Sequence, residues 1–87
     1  MRTIWKFDLK TVTNQTILMP KGAEILAIQS QFNEPELWAL VDPEAEKVPR
    51  LFKTFGTGHS LEDDKAGTYI GTYQTDGGNY VFHVFEY

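Results

Sequence analysis

The turn Gly56-Thr57-Gly58-His59 combines residue types and spacing that could bind an anion. Two glycines at i and i+2 let backbone N–H groups converge on a ligand, and a hydroxyl and an imidazole stand beside them. The lysine of a P-loop is missing, and no long helix follows as a dinucleotide fingerprint would require. The sequence therefore predicts that Thr57, Gly58 and His59 donate hydrogen bonds to a small anionic ligand. A tight turn that merely exposes His59 is the alternative.

Arg50 is the residue best suited to pair with the phosphate of such a ligand. In an extended strand Arg50 and Phe52 share a face, where a guanidinium could bind phosphate while a ring stacks on a base. Trp38 could lie across from them if its segment pairs with theirs. We therefore expect Arg50 to bind phosphate and Trp38 or Phe52 to stack. An aromatic core rimmed by a surface arginine is the alternative.

Catalytic and metal chemistry find little support in the sequence. The chain has no cysteine, which excludes disulfides, thiol nucleophiles and cysteine-ligated metals. His59 and His83 would supply two of the three or four ligands that zinc usually takes. Neither Ser30 nor Ser60 stands in a nucleophile elbow. We expect no catalytic residue, no metal and no cofactor; an enzyme using one of the histidines is a third hypothesis, and His83 fits a hydrogen-bonded strand residue as well.

The charge balance limits the classes of partner. Eight Lys and Arg against twelve Asp and Glu give a net charge of -4, which disfavours nonspecific binding to nucleic-acid backbone or anionic lipid. Any positive potential at an anion site must therefore be local. The acidic run Glu62-Asp63-Asp64 and the Glu44/Glu46 loop support a second hypothesis, an acidic inhibitor or adaptor that blocks a host protein. The same acids could simply be solvated.

The elements that must position these residues are short strands. Alternating or apolar runs separated by turn signals predict about seven of them, in a small antiparallel β-sandwich or barrel. Pro20-Lys21-Gly22 and Asp76-Gly77-Gly78 predict two hairpins. Ser60–Lys65 could form one short helical turn. The predicted strands are residues 5–10, 16–19, 24–32, 37–41, 50–55, 68–74 and 79–86, of which 37–41 is apolar enough for burial on both faces.

Length and composition predict one domain and an oligomer. The 87 residues suffice for a single core, so we expect one β domain over residues 1–87. The absence of an apolar run of roughly 20 residues and of cysteine favours a cytoplasmic location. A small all-β chain leaves sheet edges open, and we expect homo-oligomerisation through the edge of the C-terminal strand.

Several motifs carry a resemblance that extends over nearly the whole chain. They are Leu37-Trp38-Ala39-Leu40-Val41-Asp42-Pro43 in its middle, Phe55-Gly56-Thr57-Gly58-His59 after it, and Tyr69–Gln74 with Val81–Glu86 at its end. With these motifs the chain resembles small uncharacterised bacteriophage and prophage proteins. The resemblance implies a phage accessory protein in the host cytoplasm. By analogy with that class, we expect a non-enzymatic counter-defence protein that sequesters a nucleotide-like ligand, or alternatively one that blocks a host protein.

Overall fold

The computed structural model describes residues 1–61 and 67–87, and the regular elements of this part of the chain are seven strands and one 3-10 turn. The all-β prediction is therefore confirmed. The predicted helical turn Ser60–Lys65 lies largely outside the described residues. The strands are β1 (Thr3–Asp8), β2 (Asn14–Pro20), β3 (Glu24–Gln31), β4 (Glu34–Val41), β5 (Lys47–Gly56), β6 (Thr68–Thr75) and β7 (Tyr80–Glu86), and a 3-10 turn (Asp76–Gly78) joins the last two.

Two antiparallel sheets make up the described fold. Sheet A has the strand order β1-β4-β3, and sheet B has the order β2-β5-β7-β6. Each sheet turns one face toward the other, because alternate side chains along a strand point to opposite faces. The buried core draws on both sheets and consists of Leu9, Met19, Ala23, Ile28, Leu37, Ala39, Val41, Phe52, Tyr73 and Val84. The molecule is a small β-sandwich, one of the two architectures that the sequence predicts.

Strand β4 runs through the middle of sheet A and carries much of that sheet's core. Leu37 and Val41 have no exposed surface, whereas Trp38 on the outer face is half-buried. The prediction that residues 37–41 are buried on both faces is therefore confirmed for the inner face and only in part for the outer face. Glu36 is 8% exposed and pairs in register with Asp8. Burial raises the pKa of Glu36, and the neighbouring Asp8 carboxyl raises it further.

The turns follow local chemistry, but they do not by themselves decide which strands pair. The hairpin of β6 and β7 is confirmed, with Gly77 and Gly78 at positive φ in its turn. The segment Pro20-Lys21-Gly22 does turn the chain, with Gly22 at φ 82. Its predicted hairpin is wrong, because β2 joins sheet B and β3 joins sheet A. The turn carries the chain from one layer to the other, so that each strand can bury its own apolar side.

One side of the sandwich is closed where β3 meets β6. Gly71 lies under Ile28 so closely that an added Cβ would be 3.1 Å from the Ile28 Cβ. The Ser30 hydroxyl donates a hydrogen bond to the Gln74 carbonyl beside it. Without a side chain at position 71, the two strands can approach to this distance.

The C-terminal strand does not form an edge. β7 pairs with β5 on one side and with β6 on the other, so its backbone hydrogen bonds are used within the chain. The expectation that oligomers form through this strand is therefore wrong. The edge strands of the described sheets are β1 and β3 in sheet A and β2 and β6 in sheet B. Within the described residues, no helix has the length and apolarity needed to cross a bilayer.

Candidate ligand-binding groove beside His59

The structure separates the predicted site residues into three places. Thr57, Gly58 and His59 follow β5, whereas Arg50 and Phe52 stand within that strand and Trp38 lies in sheet A. The expected pairing of the Trp38 segment with the Arg50 segment is wrong. β4 pairs with β1 and β3, and β5 pairs with β2 and β7, because the two segments belong to opposite layers.

Arg50 faces the interior of the sandwich, where three of its five N–H groups make hydrogen bonds. Its Nε lies 2.5 Å from Glu86 Oε2, and its Nη2 donates to Glu86 Oε1 at 2.8 Å. Its Nη1 donates to the Ala23 carbonyl at 2.6 Å, which connects sheet B to the chain just before β3. The hydrogen bonds to Glu86 raise the pKa of Arg50. A phosphate that paired with the Nε and Nη2 groups would have to displace Glu86.

The two predicted stacking rings are also away from the Gly-Thr-Gly-His turn. Phe52 is 1% exposed and belongs to the core. Trp38 lies on the outer face of sheet A, in register with Lys6 on one side and Ala27 on the other. Neither ring can share a ligand with His59 in this arrangement.

A groove does form at the turn, because β5 is longer than its neighbour β2. The ladder between them ends at Asn14 and Lys53, and beyond it the Thr54 N–H donates to the Thr13 carbonyl at 3.0 Å. The chain then folds back, with the His59 N–H donating to the Gly56 carbonyl at 3.1 Å. The overhang leaves a groove of about 520 Å³, lined by Thr13, Asn14, Lys53, Thr54, Phe55, His59 and Ser60. We call this the His59 groove.

The glycines of the turn allow His59 to occupy this position. Gly58 has φ 88, a conformation that favours glycine. The His59 ring packs directly against Gly56, where an added Cβ would lie 2.8 Å from the imidazole Cε1. A larger residue at position 56 would therefore push the imidazole out of the groove wall.

The lining of the His59 groove is polar and contains no carboxylate among the described residues. Lys53 brings an ammonium group, whose nitrogen lies 4.3 Å from the centre of the Tyr87 ring. Asn14 adds an amide, and Phe55 adds a ring that packs edge-on against Phe85 at 6.0 Å. Residues that supply donors, one permanent cation and an aromatic ring therefore line one concavity.

Thr54 contributes a buried hydroxyl that lacks a partner. The residue is 6% exposed, and its Oγ1 makes no hydrogen bond. Thr54, Thr13 and His59 also line a second cavity of about 140 Å³, so the imidazole lies at the boundary between the two. A buried hydroxyl without a partner costs about 1–3 kcal/mol. A polar ligand atom that reached Thr54 after a small shift of His59 would recover this loss.

His83 connects the turn to the outer face of sheet B. Its Nε2 lies 2.7 Å from the Thr57 hydroxyl, and its Nδ1 lies 3.1 Å from the Thr72 hydroxyl. The Tyr69 hydroxyl extends this chain at 2.6 Å from Thr72. Thr57 is thus held by His83 rather than pointing freely to a ligand, and three of the sequence motifs meet in this network on neighbouring strands.

The sequence did not predict six of the residues that line the groove, namely Thr13, Asn14, Lys53, Thr54, Phe55 and Ser60. Their only sequence signal is that Lys53 and Thr54 stand between Phe52 and Phe55 just before the turn. Glu44 and Glu46 are exposed in the loop before β5, and the run Glu62-Asp63-Asp64 lies outside the described residues. Among the residues that the structure describes, no group of three or more histidines and acids is arranged to hold a metal ion.

The chain belongs to the family described as "Domain of unknown function (DUF7352)", whose profile matches residues 1–87. No curated protein and no solved structure matches the chain.

Proposed function

We propose that this chain is a non-enzymatic binding protein that sequesters a small anionic, nucleotide-like ligand in the His59 groove. The observation that carries the proposal is the lining itself: Lys53, Thr54 with its unpartnered hydroxyl, and His59 all border one cavity without a described carboxylate. On a chain with net charge -4, such a lining provides the local preference for an anion that the overall charge does not.

Within this site Lys53 takes the role that the sequence suggested for Arg50. Its ammonium would pair with a phosphate, and the Asn14 amide and the hydroxyls of Thr13 and Ser60 would donate hydrogen bonds. Phe55 would replace Trp38 and Phe52 as the ring beside the base. His59 keeps its predicted role as a donor.

The arrangement favours binding over turnover. General-base catalysis by an imidazole is usually supported by a group that orients the ring. Among the described residues, no carboxylate hydrogen-bonds to His59, and the ring is positioned by packing on Gly56. A protein that acts by holding its ligand stoichiometrically needs no such group.

The resemblance to phage proteins supports a proposal for where this protein acts. We place the protein in the cytoplasm of the infected host, where sequestering a nucleotide signal would weaken a host defence. Stoichiometric binding by a small chain is sufficient for that role, since the ligand has only to be withdrawn.

Titration calorimetry against a panel of cyclic and linear nucleotides tests the proposal. We expect heat from at least one nucleotide, with the affinity falling about tenfold or more in Lys53→Ala, because hydrogen bonds to charged groups contribute about 1.5–3 kcal/mol. Lys47→Ala is the matched control on the same strand, since the Lys47 ammonium lies 6.0 Å from the Trp5 ring and outside the groove. Thr54→Val should weaken binding while leaving the fold intact.

Two results would remove the proposal. One is the absence of heat from every nucleotide at high micromolar protein, and the other is equal affinity in Lys53→Ala and Lys47→Ala. If no nucleotide binds while a host protein is retained in a pull-down that weakens with salt, the acidic inhibitor or adaptor becomes the better hypothesis.

A further inference from the structure

The outer edge of β2 borders a groove. This groove has a volume of about 700 Å³ and is lined by Asp8, Lys10, Val12 and the consecutive residues 14–18. Successive side chains of a strand point to opposite faces, so five consecutive lining residues place the backbone edge itself against the groove. Gln15 connects β2 to the Lys10 side of the groove, because its side-chain oxygen accepts from the Lys10 N–H and its side-chain nitrogen donates to the Lys10 carbonyl.

β2 lacks the features that protect the other edge strands from pairing. Residues 14–19 carry no charge, and their register with β5 is continuous. By contrast, β1 carries Lys6 and Asp8, and β3 and β6 contain register shifts and lie against each other. Charges, prolines, bulges and covering elements are the usual protection of an edge, and β2 has one of these, Pro20 at its end. An uncharged and regular edge is therefore the one prepared to pair.

We propose that β2 pairs antiparallel with β2 of a second copy, about a two-fold axis at Ile17. The occupant is argued from self-complementarity: when Ile17 faces the partner's Ile17, each uncharged residue of the strand meets another uncharged residue. Pro20 adds no hydrogen bond to this pairing, because it has no N–H and its carbonyl already accepts from the Ala23 N–H. Leu18 then faces the partner's Thr16. Leu18 is 61% exposed and would gain cover in the dimer, whose two copies of sheet B join into one continuous sheet.

This dimer would also complete the His59 groove, a consequence that rests on the proposed function. In the same register Asn14 lies opposite the partner's Pro20, so the partner's Lys21 comes next to Thr13 at the groove. A second ammonium would then stand near Lys53. Lys21→Ala should weaken nucleotide binding without changing the dimer. If the natural chain binds no nucleotide, the proposed function fails, but the dimer is still tested by its own measurements.

Sedimentation velocity and cysteine cross-linking of the full chain test the pairing. We expect a species of twice the 10.0 kDa chain mass. Leu18→Asp should raise the dimer dissociation constant about tenfold or more, because the symmetric interface contains the substitution twice. Leu26→Asp is the matched control, an exposed leucine of sheet A. The natural chain has no cysteine, so Ile17→Cys should give a single disulfide-linked dimer on oxidation, and Leu26→Cys should not.

Three outcomes would overturn the inference. They are a monomer at all concentrations up to about 100 μM, a dimer that is equally stable in Leu18→Asp and Leu26→Asp, and a dimer that Ile17→Cys does not cross-link. If Leu18→Asp fails to fold by circular dichroism, the Ile17→Cys result decides the question, since that side chain is small and uncharged.

Discussion

Replacing Arg50 separates a structural role from a ligand-binding one. Arg50→Met keeps an unbranched apolar side chain but removes three hydrogen bonds, two to the Glu86 carboxylate and one to the Ala23 carbonyl. Both charged side chains are 20% exposed, which places the pair between a buried and a surface ion pair. Losing one partner costs about 3–5 kcal/mol in a buried ion pair and up to about 1 kcal/mol in a surface ion pair. We expect a loss of about 2–3 kcal/mol.

Urea unfolding followed by tryptophan fluorescence measures this loss. For a small domain with a slope of about 1–2 kcal/mol/M, the midpoint should fall by about 1–3 M urea. Glu86→Met should be destabilised similarly, and the double variant should recover about 1–2 kcal/mol of the summed losses, because neither charge is then left unpaired. Nucleotide affinity of the folded Arg50→Met protein should be unchanged. A midpoint close to that of the natural chain, combined with lost nucleotide binding, would refute the structural assignment.

Three further substitutions follow from the packing. Glu36→Gln should be more stable than the natural chain at pH 7 by up to about 1 kcal/mol. The pKa of Glu36 is raised, so the stability that its carboxyl contributes is greatest below pH 4.5 and falls as the pH rises. Urea midpoints of the two proteins that change in parallel with pH would contradict this. Gly56→Ala should change stability by less than about 1 kcal/mol while shifting the NMR signals of the displaced His59 imidazole, and an unmoved imidazole would argue against the packing contact. Gly71→Ala should lower stability by about 1–3 kcal/mol, because the added methyl group would contact Ile28. An unchanged thermal unfolding temperature would show that positions 71 and 28 are not in close contact.

The fold class followed from the sequence because it depends on local patterns. The alternation of Trp5, Phe7 and Leu9 identifies a strand, and Asp76-Gly77-Gly78 identifies a tight turn, whatever lies around them. Strand pairing depends on which layer each strand joins. That is why the turn at residues 20–22 was predicted correctly as a turn and wrongly as a hairpin.

The same limit applies to the site. Parity correctly placed Arg50 and Phe52 on one face of β5, but parity does not reveal that this face points into the sandwich. The His59 groove depends on how far β5 extends past β2, a tertiary property without a residue signature. Only the glycine turn could be predicted from the sequence, because the positive φ that it needs at Gly58 favours glycine.

The close contact of Gly71 with Ile28 also determines how the sandwich can open. The β3–β6 side is fastened by packing and by the hydrogen bond from Ser30, whereas the β2 edge borders a groove. In the dissociated monomer, partial unfolding should therefore begin by separating β2 from the first residues of the chain, with β3 and β6 remaining together. Backbone amides of β2 would then exchange with solvent sooner than those of β7, which lies inside sheet B.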